Sequence, residues 1–463
     1  MALIRKDERR PRHRPPGQAA PARGPQPELP RERLADKGLG GYLAHELVAS
    51  ELLLDGQSRL NLATFVTTWM PSLGHRLMYE TADKNMIDKD EYPQTAELEE
   101  RCVRILANLW NSPESDNATG TSTTGSSEAC MLAGLALKWR WRQRREESNK
   151  STDKPNLVMG ANVQVCWEKF CRYWDVEARK VPVEEGRFHL GAEQAAERCD
   201  ENTIGVVAIL GSTFDGSYEP VKEIAAALDQ LEEEKGLDTP IHVDGASGGF
   251  VAPFLQPGLE WDFSLPRVQS INASGHKYGL VYPGVGWAIW RDRAALPEEL
   301  VFNVNYLGGN MPTFALNFSR PGSEVVAQYW MFATLGRDGY RQYIQGAQDV
   351  AVQLSTAIGE MGPYELLSEG RELPVFAFRL KDEVENYTVF DVSDRLRQNG
   401  WLVPAYTFPE NLENMAVLRI VVRAGMTSEM GDWLIEHLRE QTDFLESLDG
   451  PLPSQRRSAF AHT

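Results

Sequence analysis

Between Gly120 and Lys277 the chain alternates short apolar segments with helix-like ones, and this alternation limits the fold more than any other feature. Leu157 to Met159, Val176 to Val183, Ile204 to Leu210, Ile241 to Val243 and Val268 to Ala273 are apolar or β-branched runs of strand length. Leu132, Leu135, Ala136 and Trp139, opened by Ser126-Ser127-Glu128, repeat at helical spacing. Strands that alternate with helices predict a mostly parallel sheet covered on both faces, an α/β architecture. Ligands of such a sheet bind beyond the carboxyl ends of its strands, where Thr213, Asp244 and Lys277 fall.

Beyond about Arg337 a long helical stretch to Met361 precedes a different pattern. Leu373 to Leu380 and Ala416 to Val422 read as strands around a helix at Val389 to Arg397, and Thr427 opens a last amphipathic helix. The expected organisation is a flexible basic, proline-rich arm (1–38), a helical segment (39–60), a large domain (61–345), a small C-terminal α+β domain (346–450) and a tail (451–463). The arm holds 10 Lys/Arg, 5 Asp/Glu and 7 of the 27 prolines, too little apolar surface to order itself. The whole chain carries a net charge of −18, which argues against nucleic acid or an anionic membrane as the main partner. No apolar run has the length of a membrane span and no signal core follows the N-terminus, so a cytoplasmic location is expected. The five cysteines, an odd number with no C-x-x-C pair, read as reduced thiols.

Lys277, within Ser274-Gly275-His276-Lys277-Tyr278, lies 33 positions after Asp244, the end of an expected strand. A lysine that forms a Schiff base and a carboxylate that meets a pyridine nitrogen are the two protein groups pyridoxal phosphate demands. Taken singly, each also suits a solvated surface lysine or an ordinary strand end. Gly125-Ser126-Ser127 stands where a loop enters a helix, so free N–H groups, hydroxyls and the helix dipole converge as they do at phosphate sites; plain N-capping explains the serines equally well. His242 and Asp244 share a strand face, but no H-x-x-x-H spacing supports a metal, and none is expected. Ser274-x-x-Lys277 and Ser115-Asp116-Asn117 also match two signatures of acyl-serine penicillin-recognising enzymes, yet their order is reversed and K-T-G is absent.

With these residues assembled, the chain resembles the glutamate decarboxylases of the group II decarboxylase family, whose fold is aspartate-aminotransferase-like (pyridoxal-phosphate fold type I). The likeness rests on Asn61-Leu62-Ala63-Thr64-Phe65, Gly125-Ser126-Ser127-Glu128-Ala129, Val165-Cys166-Trp167-Glu168-Lys169-Phe170, the run from His242 to Phe250, and Ser274 to Gly279. It implies that Lys277 carries pyridoxal 5'-phosphate and that Asp244 partners the pyridine nitrogen while Ala246 packs on the ring. It assigns Ser126, Ser127, Ser274 and His276 to the phosphate, with His276 also counted among the catalytic residues. Gln164 and Thr213 hold the ring and its hydroxyl. Arg423 grips the α-carboxylate, and Thr64, Phe65, Asn85 and Asp88 form a distal-carboxylate pocket for L-glutamate to which a neighbouring subunit contributes, so at least a dimer is implied and a hexamer stays open. Two departures stand out: Glu168 occupies a position where enteric bacterial members stack a histidine on the ring, and the basic calmodulin-binding tail of plant members is missing. His462, in the closing Phe460-Ala461-His462-Thr463, matches a histidine that shuts enteric enzymes as pH rises. Other substrates with the same apparatus (aspartate, cysteine sulfinate, aromatic amino acids) and an inactive scaffold remain the alternatives.

Overall fold

The computed structural model describes residues 29–305, 311–450 and 452. Residues 29–56 belong to a unit of their own. Within it a helix, Gly41–Leu52, buries none of its residues.

The second unit begins at Gln57 and is built around a seven-stranded sheet. Its strands are β1 (Thr119–Thr123), β2 (Asn156–Gly160), β3 (Glu177–Val181), β4 (Thr203–Ile209), β5 (Ile241–Asp244), β6 (Val268–Ala273) and β7 (Gly286–Trp290). They lie in the order β1-β7-β6-β5-β4-β2-β3. Every neighbouring pair from β3 to β6 is parallel, and β7 alone runs against both its neighbours. The alternating side chains of β4 show why this central strand is apolar on both faces: Val206 and Ala208 enter one core cluster with the helix Val221–Lys235, while Val207 and Ile209 enter another with Trp167 and Phe170. A sheet covered on both faces leaves no polar side.

A two-stranded ribbon, β8 (Phe302–Val304) with β9 (Met311–Thr313), follows. The smaller sheet is antiparallel, in the order β10 (Tyr364–Leu366), β11 (Val375–Leu380), β13 (Ala416–Val421), β12 (Ala405–Thr407). Its helix Val389–Gln398 starts with a reciprocal cap between Thr388 and Asp391, and Thr427 caps the helix Ser428–Glu446. The helix Ser323–Gly359 joins the two sheets. Val325, Met331, Tyr340 and Ile344 pack in the core of the large sheet, whereas Val350, Leu354 and Ile358 pack with Phe376 and Leu418 of the small one. A non-helical residue, Gly336 (φ 56°), kinks it between Met331 and Tyr340, within the part that packs on the large sheet. The boundary expected at 345 therefore falls inside one continuous element.

Candidate active site

Asp244 closes β5 in the middle of the large sheet, nearly fully buried. Its carboxylate meets four donors: Trp167 Nε1 reaches Oδ2 at 2.8 Å and Cys130 Sγ reaches it at 3.7 Å, and Asn272 Nδ2 and the Ala246 amide each reach Oδ1 at 3.1 Å. A buried carboxylate needs such donors, and here they also aim it. The next strand, β6, runs into the turn that carries Lys277. Lys277 is half-buried, its Nζ 3.4 Å from Ser247 Oγ and 5.2 Å from the centre of the Phe65 ring. Burial lowers its pKa, opposed by the charge of Asp244, so more of the amine is neutral and nucleophilic than on an exposed lysine.

These two groups share a cavity of about 200 Å³ with Ser126, Ser127, Asn162, Gln164, Cys166, Ile209, Gly211, Thr213, Ala246 and His276. Ser126 begins the helix Ser126–Glu147 behind Gly125, which has φ 156°. Two close approaches shape that end: a Cβ on Gly125 would stand 2.9 Å from His276 Cε1, and one on Gly286 would stand 2.5 Å from the Gly125 carbonyl carbon. The helix N-terminus is thus held against the cavity by glycine backbone, with its dipole directed there. Burial, with Lys277 adding to it, pushes His276 down to about 4, which leaves its ring neutral near neutral pH. Ser274 Oγ is buried without a hydrogen-bond partner among the described residues, an orphan that an anion or water would satisfy.

Of the residues singled out from sequence, the cavity therefore gathers Ser126, Ser127, Gln164, Thr213, Asp244, Ala246, His276 and Lys277, with Ser274 and Phe65 alongside. Others lie elsewhere. Glu168 does not line the cavity: one turn into its helix, it meets Lys180 of β3 at 3.3 Å, and Gln164 at the N-cap of that helix faces the site instead. Arg423 does not line it either. Its guanidinium donates to the carbonyls of Val66 (2.7 Å), Ser58 (3.2 Å) and Asn61 and to Thr68 Oγ1 (2.9 Å), because β13 ends beside the 58–68 segment. Thr64 Oγ1 accepts from the Val66 amide. Asn85 donates to Asp88 at 2.9 Å and to Ser319 at 3.3 Å, so this pair forms a separate polar cluster. His462 is outside the described residues.

Sequence reading passed over Arg419. It donates to the carbonyls of Thr213 and Ala63 and lies 4.9 Å from the Phe65 ring, tying the cavity wall to the segment around Phe65. The signal was present: one charge inside the otherwise apolar Ala416–Val421. His242, in contrast, is absorbed by Ser270 Oγ and Asn272 Oδ1, both at 2.8 Å.

A half-buried amine, a carboxylate held by neutral donors and a helix N-terminus around one cavity can bind an anionic, ring-nitrogen cofactor through an imine. The pyridoxal-dependent decarboxylase conserved domain matches residues 44–381. The chain belongs to the pyridoxal-dependent decarboxylases. Their cofactor, pyridoxal phosphate, is the cofactor of this decarboxylase too. The chain is similar to a glutamate decarboxylase of Aliivibrio fischeri (54% identity over 418 residues, 90% of each chain) and to glutamate decarboxylase 1 of Arabidopsis thaliana (48% over 424 residues, 90% of this chain and 84% of the other). In structure it is similar to the Lactobacillus brevis glutamate decarboxylase, with a TM-score of 0.88 and 47% identity over 91% of this chain and 96% of that one. The decarboxylase thus has the expected fold type I architecture. Among its described residues no helix is long and apolar enough to cross a membrane.

Proposed function

We propose that this decarboxylase removes the α-carboxyl group of L-glutamate, giving γ-aminobutyrate and carbon dioxide with uptake of one proton. The observation that carries the reading is the meeting of Lys277, Asp244 and the Ser126 helix N-terminus on one cavity; the substrate follows from the relatives that are 47–54% identical over most of their length.

The residues present fit the cofactor. The helix N-terminus with Ser126, Ser127 and the orphan Ser274 hydroxyl suits the phosphate, Asp244 suits the protonated ring nitrogen, and Lys277 suits the imine. When bound, pyridoxal phosphate supplies the electron sink for the pair that departing carbon dioxide leaves behind. The protein supplies position. Trp167, Asn272 and the Ala246 amide keep the Asp244 carboxylate turned to hold a proton on the ring nitrogen. Gln164 and Ala246 would bound the ring and Thr213 would meet its hydroxyl, all three lining the same cavity. His276, neutral in this setting, would add a hydrogen bond to the phosphate without adding charge. Arg423 commits both terminal nitrogens to the carbonyls and Thr68, while its buried Nε has no hydrogen-bond partner among the described residues, and this is the N–H that would take the α-carboxylate. Fixing that carboxylate perpendicular to the ring would select decarboxylation, and orientation of this kind is worth several kcal/mol.

The distal carboxylate would be read by Thr64, Phe65, Asn85 and Asp88, with a second copy of the chain completing the site, and His462 would close it as its imidazole loses a proton. Five buried free thiols support a reducing compartment, the cytoplasm.

The test is borohydride reduction followed by peptide mapping, with product analysis on glutamate, aspartate, cysteine sulfinate and tyrosine. The label should fall on Lys277, and Lys277→Ala should lose it together with roughly 10⁴-fold or more of the turnover, as removal of an essential nucleophile does. A label on another lysine refutes the assignment, and comparable turnover of tyrosine or cysteine sulfinate refutes the substrate.

A further inference from the structure

Cys130, Cys166 and Asp244 come from three separate elements, the helix behind Ser126, the helix behind Gln164 and the end of β5, yet their ligand atoms all lie within 4.8 Å of one another. Cys130 Sγ stands 3.7 Å from Asp244 Oδ2, close to the spacing of neighbouring donors around a tetrahedral ion whose metal–sulfur bonds are about 2.3 Å and metal–oxygen bonds about 2.0–2.2 Å. All three residues are buried, and Cys166 and Asp244 open onto the cofactor cavity while Cys130 lies behind them. Two sulfur donors and one carboxylate select a thiophilic cation over magnesium or calcium. The outer contacts also suit a metal site: Trp167 and Asn272 already orient the carboxylate, as second partners do around bound ions.

We propose that, when pyridoxal phosphate is absent, Cys130, Cys166 and Asp244 bind a thiophilic divalent cation such as zinc or cadmium, and that this ion excludes the cofactor. Binding replaces the two thiol protons, which leave to solvent, by two metal–sulfur bonds, with no change of oxidation state. The fourth coordination position faces the cavity and is open to water. A dication on the Asp244 carboxylate would stand beside the protonated ring nitrogen that the same carboxylate serves, and this like-charge repulsion makes the two occupants compete. The competition, though not the cation site itself, rests on the cofactor reading above.

The experiment uses the full chain freed of pyridoxal phosphate and titrated with cadmium. A thiolate-to-cadmium ultraviolet charge-transfer band should rise and saturate at a single equivalent, zinc should displace it, and magnesium should not. Cys130→Ser and Cys166→Ser should each abolish the band, while Cys171→Ser, which changes a buried thiol outside the cluster, should retain it. Cadmium at saturation should weaken cofactor uptake, read by borohydride trapping on Lys277, at least tenfold, and the loaded protein should give no band. No band in the unmodified chain, a band that survives both serine variants, or simultaneous binding of cadmium and cofactor overturns the proposal. If the metal-free protein failed to trap cofactor on Lys277, the cofactor reading would fall while the cadmium band would still report the cation site.

Discussion

His242 and Glu219 are buried titratable residues that feel the charge of Asp244 from outside the cavity, and their proton balances run in opposite directions. Burial pushes His242 down to about 4. Glu219, which accepts from the Ile209 and Leu190 amides and from Asn162, is pushed by burial up to about 7. For His242 the unfolded chain binds the extra proton between about pH 4 and 6.5, so its contribution to stability is lost as pH falls through that window. For Glu219 the folded chain holds the extra proton between about pH 4.5 and 7, so its contribution is lost as pH rises. Each is on the order of 3 kcal/mol, and over the shared window they offset. Relative to the wild type, Glu219→Gln should therefore gain stability by roughly that amount as pH rises from about 4.5 to 7, and His242→Asn should drift the other way. Denaturant unfolding at several pH values measures both, and curves parallel to the wild type would contradict the account.

At the scale of elements, the phosphate end of the site depends on two backbones meeting without side chains. A Cβ on Gly286 would lie 2.5 Å from the Gly125 carbonyl carbon and 2.7 Å from the Ser126 amide nitrogen, and neither is the end of a flexible group that can swing away. Gly286→Ala should push the helix N-terminus into the cavity at an overpacking cost of about 1–3 kcal/mol. If that cost falls on the bound state, the cofactor dissociation constant rises roughly 10- to 100-fold; an unchanged constant from fluorescence titration would refute the idea. This contact could not be read from sequence, since it joins β7 to a loop more than a hundred residues upstream. The strands β2 and β4 were legible because burial on both faces makes them apolar runs; β5 and β6 mix His242, Ser270 and Asn272 with apolar residues, and the charged, partly exposed edge strand β3 was marked by Val181 at its end with Val176 and Val183 on either side. β1 was not: Thr119-Gly120-Thr121-Ser122-Thr123 is polar, and its burial is satisfied by Glu99 and Arg320, which donate to or accept from Ser122. The long helix was read from Arg337 onward because Gly336 interrupts its pattern, whereas the structure starts it at Ser323. Lys277, Asp244 and the serines were legible through motif spacing, but Trp167, Asn272 and Arg419 act through contacts between elements, which spacing does not reveal.

At the scale of the whole molecule, one chain does not assemble every expected substrate contact. Lys277 and Asp244 face the cavity, while Asn85 and Asp88 bond to each other and to the Ser319-Arg320 segment, away from it. If these residues read the distal carboxylate, they must do so in the site of another copy, and a symmetric pair then holds two sites, each built from both chains. That arrangement makes a quantitative prediction. Lys277→Ala and Asp88→Ala chains should each be nearly inactive alone. When the two are unfolded together and refolded as a mixture, half of the pairs are hybrids, and each hybrid has one site with an intact Lys277 from one chain and an intact Asp88 from the other. Activity should recover to roughly a quarter of the wild-type value. If both residues serve the same site from the same chain, no hybrid holds an intact site and the mixture stays at the average of its parents. The same refolding applied to wild-type chains alone sets the recovery against which the quarter is judged.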